Sequence, residues 1–182
     1  YTGPDSPLNK IAGLGFDGAV DETQLDIVES AFALRNTPVQ AEVATLADPA
    51  VHTLLTARGY RLVGFENILG RSLLHGEAPP AREGITVRVG DESTFDEWLA
   101  TVVEGFAHPD TQGTAAHESF SKEVLREVIG ETASAPGVVH FIAHRGAAVA
   151  GGARMRTAEG VAQLSGAATL PAHRRRGVQS LS

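Results

Sequence analysis

The sequence predicts an α/β protein with a mixed sheet of the α+β kind, built as two units of which the second is incomplete. Three observations predict it. Through residues 8–69, short apolar runs of strand-like alternation are interleaved with runs of helical spacing. From residue 85 the order changes to strand, helix, helix and then three strands in a row. Between the two patterns lies Gly76-Glu77-Ala78-Pro79-Pro80-Ala81, whose prolines and small residues read as a linker. The expected organisation is therefore a first unit over 1–75, a linker over 76–84 and a second unit over 85–182, within a length of 182 residues that suits one sizeable domain or two small ones.

The first unit reads strand, helix, strand, helix, strand. Residues 8–14 form the first strand. Asp21, with Gln24 three residues on, resembles a capping box and opens a helix that puts Leu25, Val28 and Phe32 on one face. Over 39–46, Val39, Ala41 and Val43 alternate with Gln40 and Glu42. Asp48-Pro49 starts the next helix, with proline in the first helical position, and Gly59 ends it. Residues 60–69 read as a returning strand.

The second unit starts at Ile85, where Ile85, Val87 and Val89 alternate with Thr86 and Arg88. A helix from about Ser93 carries Phe95, Leu99, Val102 and Phe106 on one stripe, and Trp98 in this amphipathic stretch reads as core or rim. A turn-rich loop runs from His108 to His117. The next helix carries Phe120, Val124, Leu125, Val128 and Ile129. Strands follow over 138–144, 147–155 and 160–170.

Composition excludes several classes of function. A formal net charge of −7 argues against a general nucleic-acid binder, so any basic cluster is a local feature on an acidic body. Without cysteine there is no disulfide, thiol nucleophile or cysteine-ligated zinc. No run has the apolar length of a membrane span, and the N-terminus has neither the basic nor the apolar part of a signal peptide, so a cytoplasmic protein is expected. Neither a Walker A pattern nor a Gly-x-Ser-x-Gly elbow is present. His140 and His144 share a strand face, but no nearby acid completes a metal set, and they read as strand-face residues.

The most informative segment is 161–179. An apolar strand runs to Leu170 and Pro171 stops it. Arg174, Arg175 and Arg176 follow, and Gly177 is expected to open a helix. Three cations at a helix N-terminus oppose its dipole unless an anion joins them, and the free N–H groups of a first turn cradle such an anion. Local physics thus points to a phosphate or pyrophosphate.

The pattern Arg174-x-x-Gly177-x-Gln179, after a strand ending in Thr169-Leu170-Pro171, resembles the acetyl-CoA loop of the GNAT superfamily of N-acetyltransferases. The family motif is Gln/Arg-x-x-Gly-x-Gly/Ala, so Gln179 departs from it. The resemblance implies a GNAT-like fold and acetyl-CoA as co-substrate. It implies binding through Thr169, Leu170, Arg174, Arg175, Arg176, Gly177, Val178, Gln179 and Ser180, with the preceding strand pairing with the pantetheine arm. The implied partners are acetyl-CoA and an amine of a small molecule or peptide, with no nucleic acid and no membrane. By the same resemblance 85–182 is the first half of a GNAT unit, truncated after the loop, and 1–75 is a degenerate second half, through Gly59-Tyr60 after a helix. The chain lacks an initial methionine and stops a few residues past Gly177, so a longer polypeptide is expected.

The family's common general acid is a tyrosine on a later helix, and Tyr1 and Tyr60 both lie in the first unit. The catalytic residues therefore stay open. The loop over 108–117 is long for a helix–helix connection and would border the acceptor site, which makes His108 and Asp110 the candidates, flanked by Glu104, His117 and Glu118. Two alternatives to turnover remain: a GNAT-derived module that binds acyl-CoA or regulates, and a dinucleotide site at Gly13-x-Gly15-x-x-Gly18. Against the latter, the helix starts at Asp21, beyond Gly18, and Asp17, Asp21 and Glu22 would repel a pyrophosphate. Glu42 stands about where a ribose-binding acid would sit.

Overall fold

In the computed structural model, residues 3, 5–73, 82–110 and 118–179 are described. The chain divides into two compact units, Tyr1–Asn67 and Ile68–Ser182. No helix among the described residues is long and apolar enough to cross a membrane.

In the first unit, β1 (Lys10–Ala12) pairs in parallel with β2 (Gln40–Glu42), with Ile11 opposite Ala41. The connection runs through α1 (Glu22–Ala33), and α2 (Ala50–Ala57) follows. Leu25, Val51 and Leu55 are buried together, with Ile11, Leu14, Val20, Ala41 and Val43 around them, so the helical stripes meet the strands. The Asp21 carboxylate accepts from the Thr23 and Gln24 amides, realising the N-cap expected there. On the solvent side, Arg58 reaches Asp26 and Glu29 at 2.7 Å each and Glu22 at 3.3 Å. The Asp26 hydrogen bond, reinforced by the neighbouring acids, holds the guanidinium proton more firmly than usual. The Tyr60 hydroxyl donates to Glu29 at 3.0 Å.

One expected strand does not form. Residues 60–69 have no ladder partner, and Leu62, Phe65, Ile68 and Leu69 are exposed. Leu62-Val63 and Ile68-Leu69 are adjacent apolar pairs, which point to both sides of a pleat and leave no single face to bury.

The second unit is an antiparallel sheet in the order β3 (Ile85–Val89), β4 (Val138–Arg145), β5 (Ala148–Ala158), β6 (Val161–Thr169). Asp91 and Thr94 exchange side-chain and backbone bonds in a capping box, and a short 3-10 turn then leads into α3 (Phe95–Ala107). The next helix, α4 (Lys122–Ala133), is capped by the Ser121 hydroxyl. It leaves Phe120 outside, where the sequence reading had placed it in the helical stripe.

Trp98 and Val102 are completely buried beneath α3, among Leu99, Val103, Ile129, Ala133 and Ile142. A β-bulge between Gly152 and Arg154 frees the Ala153 carbonyl, which accepts from the Trp98 indole N–H at 3.0 Å. Gly152 is required here, because a Cβ at that position would lie 2.8 Å from Val102 and 2.9 Å from Trp98. Phe106, expected on the apolar stripe, is instead 44% exposed at the end of the helix. A second buried cluster joins Ala143, Ala150 and Val178, with Ile85 and Val87 packed on it.

Candidate functional site

The site is built where β6 ends and α3 ends. Gly105 lets the two touch, since a Cβ on it would fall 2.6 Å from that of Ala168. Pro171–His173 forms one 3-10 turn after β6 and stops the strand. Arg174 then leaves in extended conformation, and Arg175 (φ 58°) and Gly177 (φ 81°) both take left-handed backbone. Left-handed residues curl a chain so that successive N–H groups converge, as in anion-binding nests. The helix expected to open at Gly177 falls largely on residues 180–182, outside the described residues. Ser180 lies outside the described residues, as does His117.

The three arginines do different work. Arg174 Nε donates to the Thr169 carbonyl and Nη2 to the Gly105 carbonyl, each at 3.1 Å, and Nη2 also meets the His108 carbonyl. Carbonyls at a helix C-terminus lack intrahelical donors and carry partial negative charge, which a guanidinium satisfies well. Arg174 is therefore a strut between the loop and α3, which neither Arg175 nor Arg176 is seen to be. Arg175 and Arg176 are exposed and have no carboxylate partner among the described residues. Val178, expected to contribute backbone, also buries its side chain against Ala143 and Ala150 and pins the loop to the sheet. Thr169, Val178 and Gln179 line one small cleft with Gly151 and Ala168, about 10 Å³ and roomy enough for a water only. The outer edge of β6 has no strand beside it among the described residues, and its backbone groups are the ones open to an extended ligand. Leu170 turns inward, its amide bonded to the Ala150 carbonyl at 3.0 Å.

His108 is the residue that ends α3, so Arg174 joins the loop to the other candidate region. The imidazole Nδ1 lies 3.0 Å from the Glu104 carbonyl and 3.1 Å from its carboxylate, a pairing in which Nδ1 donates. Lys122 completes the row at 2.6 Å from Glu104. Its hydrogen bond, the charge behind it and His108 hold the Glu104 carboxyl below the usual range, against a smaller opposing effect of burial. Glu104 was visible as a flanking acid, but its partnership with Lys122 spans the loop and has no local signature. Asp110 is exposed just beyond His108.

Other sequence candidates have local explanations. Gly15 has φ 79°, and a Cβ there would lie 2.5 Å from Val51, so this glycine serves packing against α2. The cleft beside it is lined by Asp17, Asp21, Gln24 and apolar residues, without a lysine or arginine, and the Asp21 carboxylate already fills the helix terminus. Glu42 is paired with Lys10 at 2.9 Å. The His140 ring packs on Trp98 and Phe95, with centroids 5.1 and 5.4 Å away. No group of three acids and histidines that could hold a metal occurs among the described residues.

No family model matches the chain, and the curated proteins give no match. Solved structures do. A GCN5-related N-acetyltransferase from Kribbella flavida superposes with a TM-score of 0.57 at 21% identity, over 86% of this chain and 55% of that one. A conserved protein of unknown function from Staphylococcus epidermidis ATCC 12228 gives 0.50 at 8% identity, over 87% and 61%. The chain thus spans little more than half the length of each. The mixed α/β architecture, with its four-stranded antiparallel sheet and helices, is a fold this chain shares with the Kribbella flavida N-acetyltransferase.

Proposed function

We propose that this chain transfers the acetyl group of acetyl-CoA to an amine of a small molecule or peptide. One observation carries the reading: Arg174 ties a loop with two left-handed residues and two exposed arginines to the helix end that presents the Glu104–His108 pair. Acetyl transfer needs both a seat for the pyrophosphate and a base that reaches the thioester at the far end of the pantetheine arm. The free edge of β6 supports an extended pantetheine arm between them.

In this reading the amine nitrogen attacks the thioester carbonyl carbon. The oxygen takes up negative charge, stabilised by a backbone N–H near Thr169 or Leu170. His108 Nε2 accepts the ammonium proton, with Glu104 balancing the charge that develops on the imidazole. Collapse of the intermediate breaks the carbon–sulfur bond and releases CoA as thiolate, which takes a proton to become the thiol.

The test is calorimetric titration of acetyl-CoA with NAD in parallel, then thiol release with polyamine and peptide amines. Acetyl-CoA should bind and NAD should not, and Gly177→Val should abolish binding, since a side chain there meets both a left-handed φ and Arg82. His108→Ala should lower kcat with acetyl-CoA affinity unchanged. Full activity of H108A would move the base elsewhere, and unchanged binding by G177V would remove the loop from the cofactor site. Gln179, where the family has Gly or Ala, favours a second reading, an acyl-CoA-binding module without turnover. Tight binding with no thiol released from any acceptor would select it.

A further inference from the structure

The cations at the loop do not all come from the loop. Arg82 lies ahead of β3, and its guanidinium is seated on the Cα face of Gly177. A Cβ at 177 would fall 2.7 Å from Arg82 Nη1 and 3.1 Å from Cζ. The backbone around Arg82 is tied down. Its carbonyl accepts from the Ile85 amide at 3.2 Å, and the Gly84 carbonyl accepts from Gly146 at 2.9 Å, in the turn between β4 and β5. Among the described residues no carboxylate pairs with Arg82, Arg175 or Arg176. A guanidinium laid over a backbone with two further arginines on it, and no acid to answer them, raises the local positive potential. Arg174 cannot answer for that potential, because the carbonyls of α3 already hold it.

We infer that Arg82 is a diphosphate-binding residue of this site, adding a cation at Gly177 to those of Arg175 and Arg176. The inference rests on the reading of 174–179 as a pyrophosphate loop and adds a ligand contact from outside the motif. It gives Gly177 two duties: to adopt φ 81° and to leave the surface on which the guanidinium lies. A planar guanidinium suits this place because it offers paired donors to adjacent phosphate oxygens.

The experiment compares the full chain with its Arg82→Gln variant, which keeps a polar side chain but removes the charge and the guanidinium. Arg82 is exposed, so thermal melting of R82Q should match the parent. Acetyl-CoA affinity is then titrated at low and high salt. R82Q should bind about 10-fold more weakly at low salt, and the gap should narrow as salt rises, since an exposed cation acts through a screened field. A gap below about twofold at low salt, or one unchanged by salt, would overturn the role of Arg82 while leaving the loop assignment standing. If the parent itself fails to bind acetyl-CoA at either salt, the loop reading fails and the inference falls with it.

Discussion

Arg174 makes the sharpest quantitative prediction. Its guanidinium serves the carbonyls of Thr169, Gly105 and His108, and the last two belong to the end of α3. A net hydrogen bond from a charged donor stabilises by about 1.5–3 kcal/mol when shielded and less when exposed. A cation at a helix C-terminus adds about 0.3–1 kcal/mol. The side chain is only partly buried and the three bonds share one group, so they do not add. Arg174→Ala should therefore destabilise the second unit by about 2–3 kcal/mol, or lower its Tm by about 10 °C. Arg174→Lys should recover less than half, because an ammonium cannot span three carbonyls at once. Trp98 is the one tryptophan and lies in the core of that unit, so its fluorescence in urea reads the right transition. A loss below about 0.5 kcal/mol in R174A would refute the strut and return Arg174 to the pool of anion-binding cations.

Two further outcomes follow from buried polar groups. Both ring nitrogens of His140 are buried without a hydrogen-bond partner, against Trp98 and Phe95. Because an unsatisfied polar group costs more than an apolar one in the same place, His140→Phe should stabilise the second unit by about 1 kcal/mol in urea unfolding, and a comparable loss would reveal a partner for the imidazole. In the first unit, burial first, then the hydrogen bond to Glu29 and the charge of that carboxylate, raise the Tyr60 phenol from 10.0 to about 12. The folded value lies above the unfolded one, so the stabilisation is complete below pH 10 and disappears as pH rises through about 12. Tyr60→Phe should flatten that alkaline decline in unfolding free energy, and a phenolate absorbance titration showing both tyrosines ionising at the ordinary value would contradict it.

The second unit was legible because its elements obey one rule each. Phe95, Leu99 and Val102 recur at helical spacing and pack in one core, and the strands expected over 138–144, 147–155 and 160–170 fall on β4, β5 and β6, with β5 running on to Ala158. Phe106 obeys the same spacing and is exposed, because the helix runs past the sheet there and periodicity does not record where a partner surface stops. In 60–69, apolar content was mistaken for a strand although the period was absent. The separate place of Arg174 has a different origin. Adjacent in sequence and identical in type, the three arginines carry no local mark of which one turns toward α3; that depends on a carbonyl supplied far back in the chain, at Gly105. Arg82 was invisible for the same reason, since its relation to Gly177 exists only once β3 is paired with β4.

The helix end therefore explains the loop more fully than the loop motif does. A helix must leave its last carbonyls without intrahelical donors. Here water is partly displaced from them by β6, which approaches through the Gly105–Ala168 contact, and a donor has to come from the segment that follows that strand. Arg174 is that donor, and its extended conformation sends the chain into the left-handed turn at Arg175. Val178 then has to reach the cluster of Ala143 and Ala150, which leaves Gly177 to make the second left-handed step. With both ends of the segment held, its backbone is positioned before any ligand arrives, and electrostatic binding gains from donors that need no rearrangement. The strut that does this also carries His108 on its far side. A change at the helix end thus reaches both the proposed seat for the anion and His108, the proposed base, through one guanidinium.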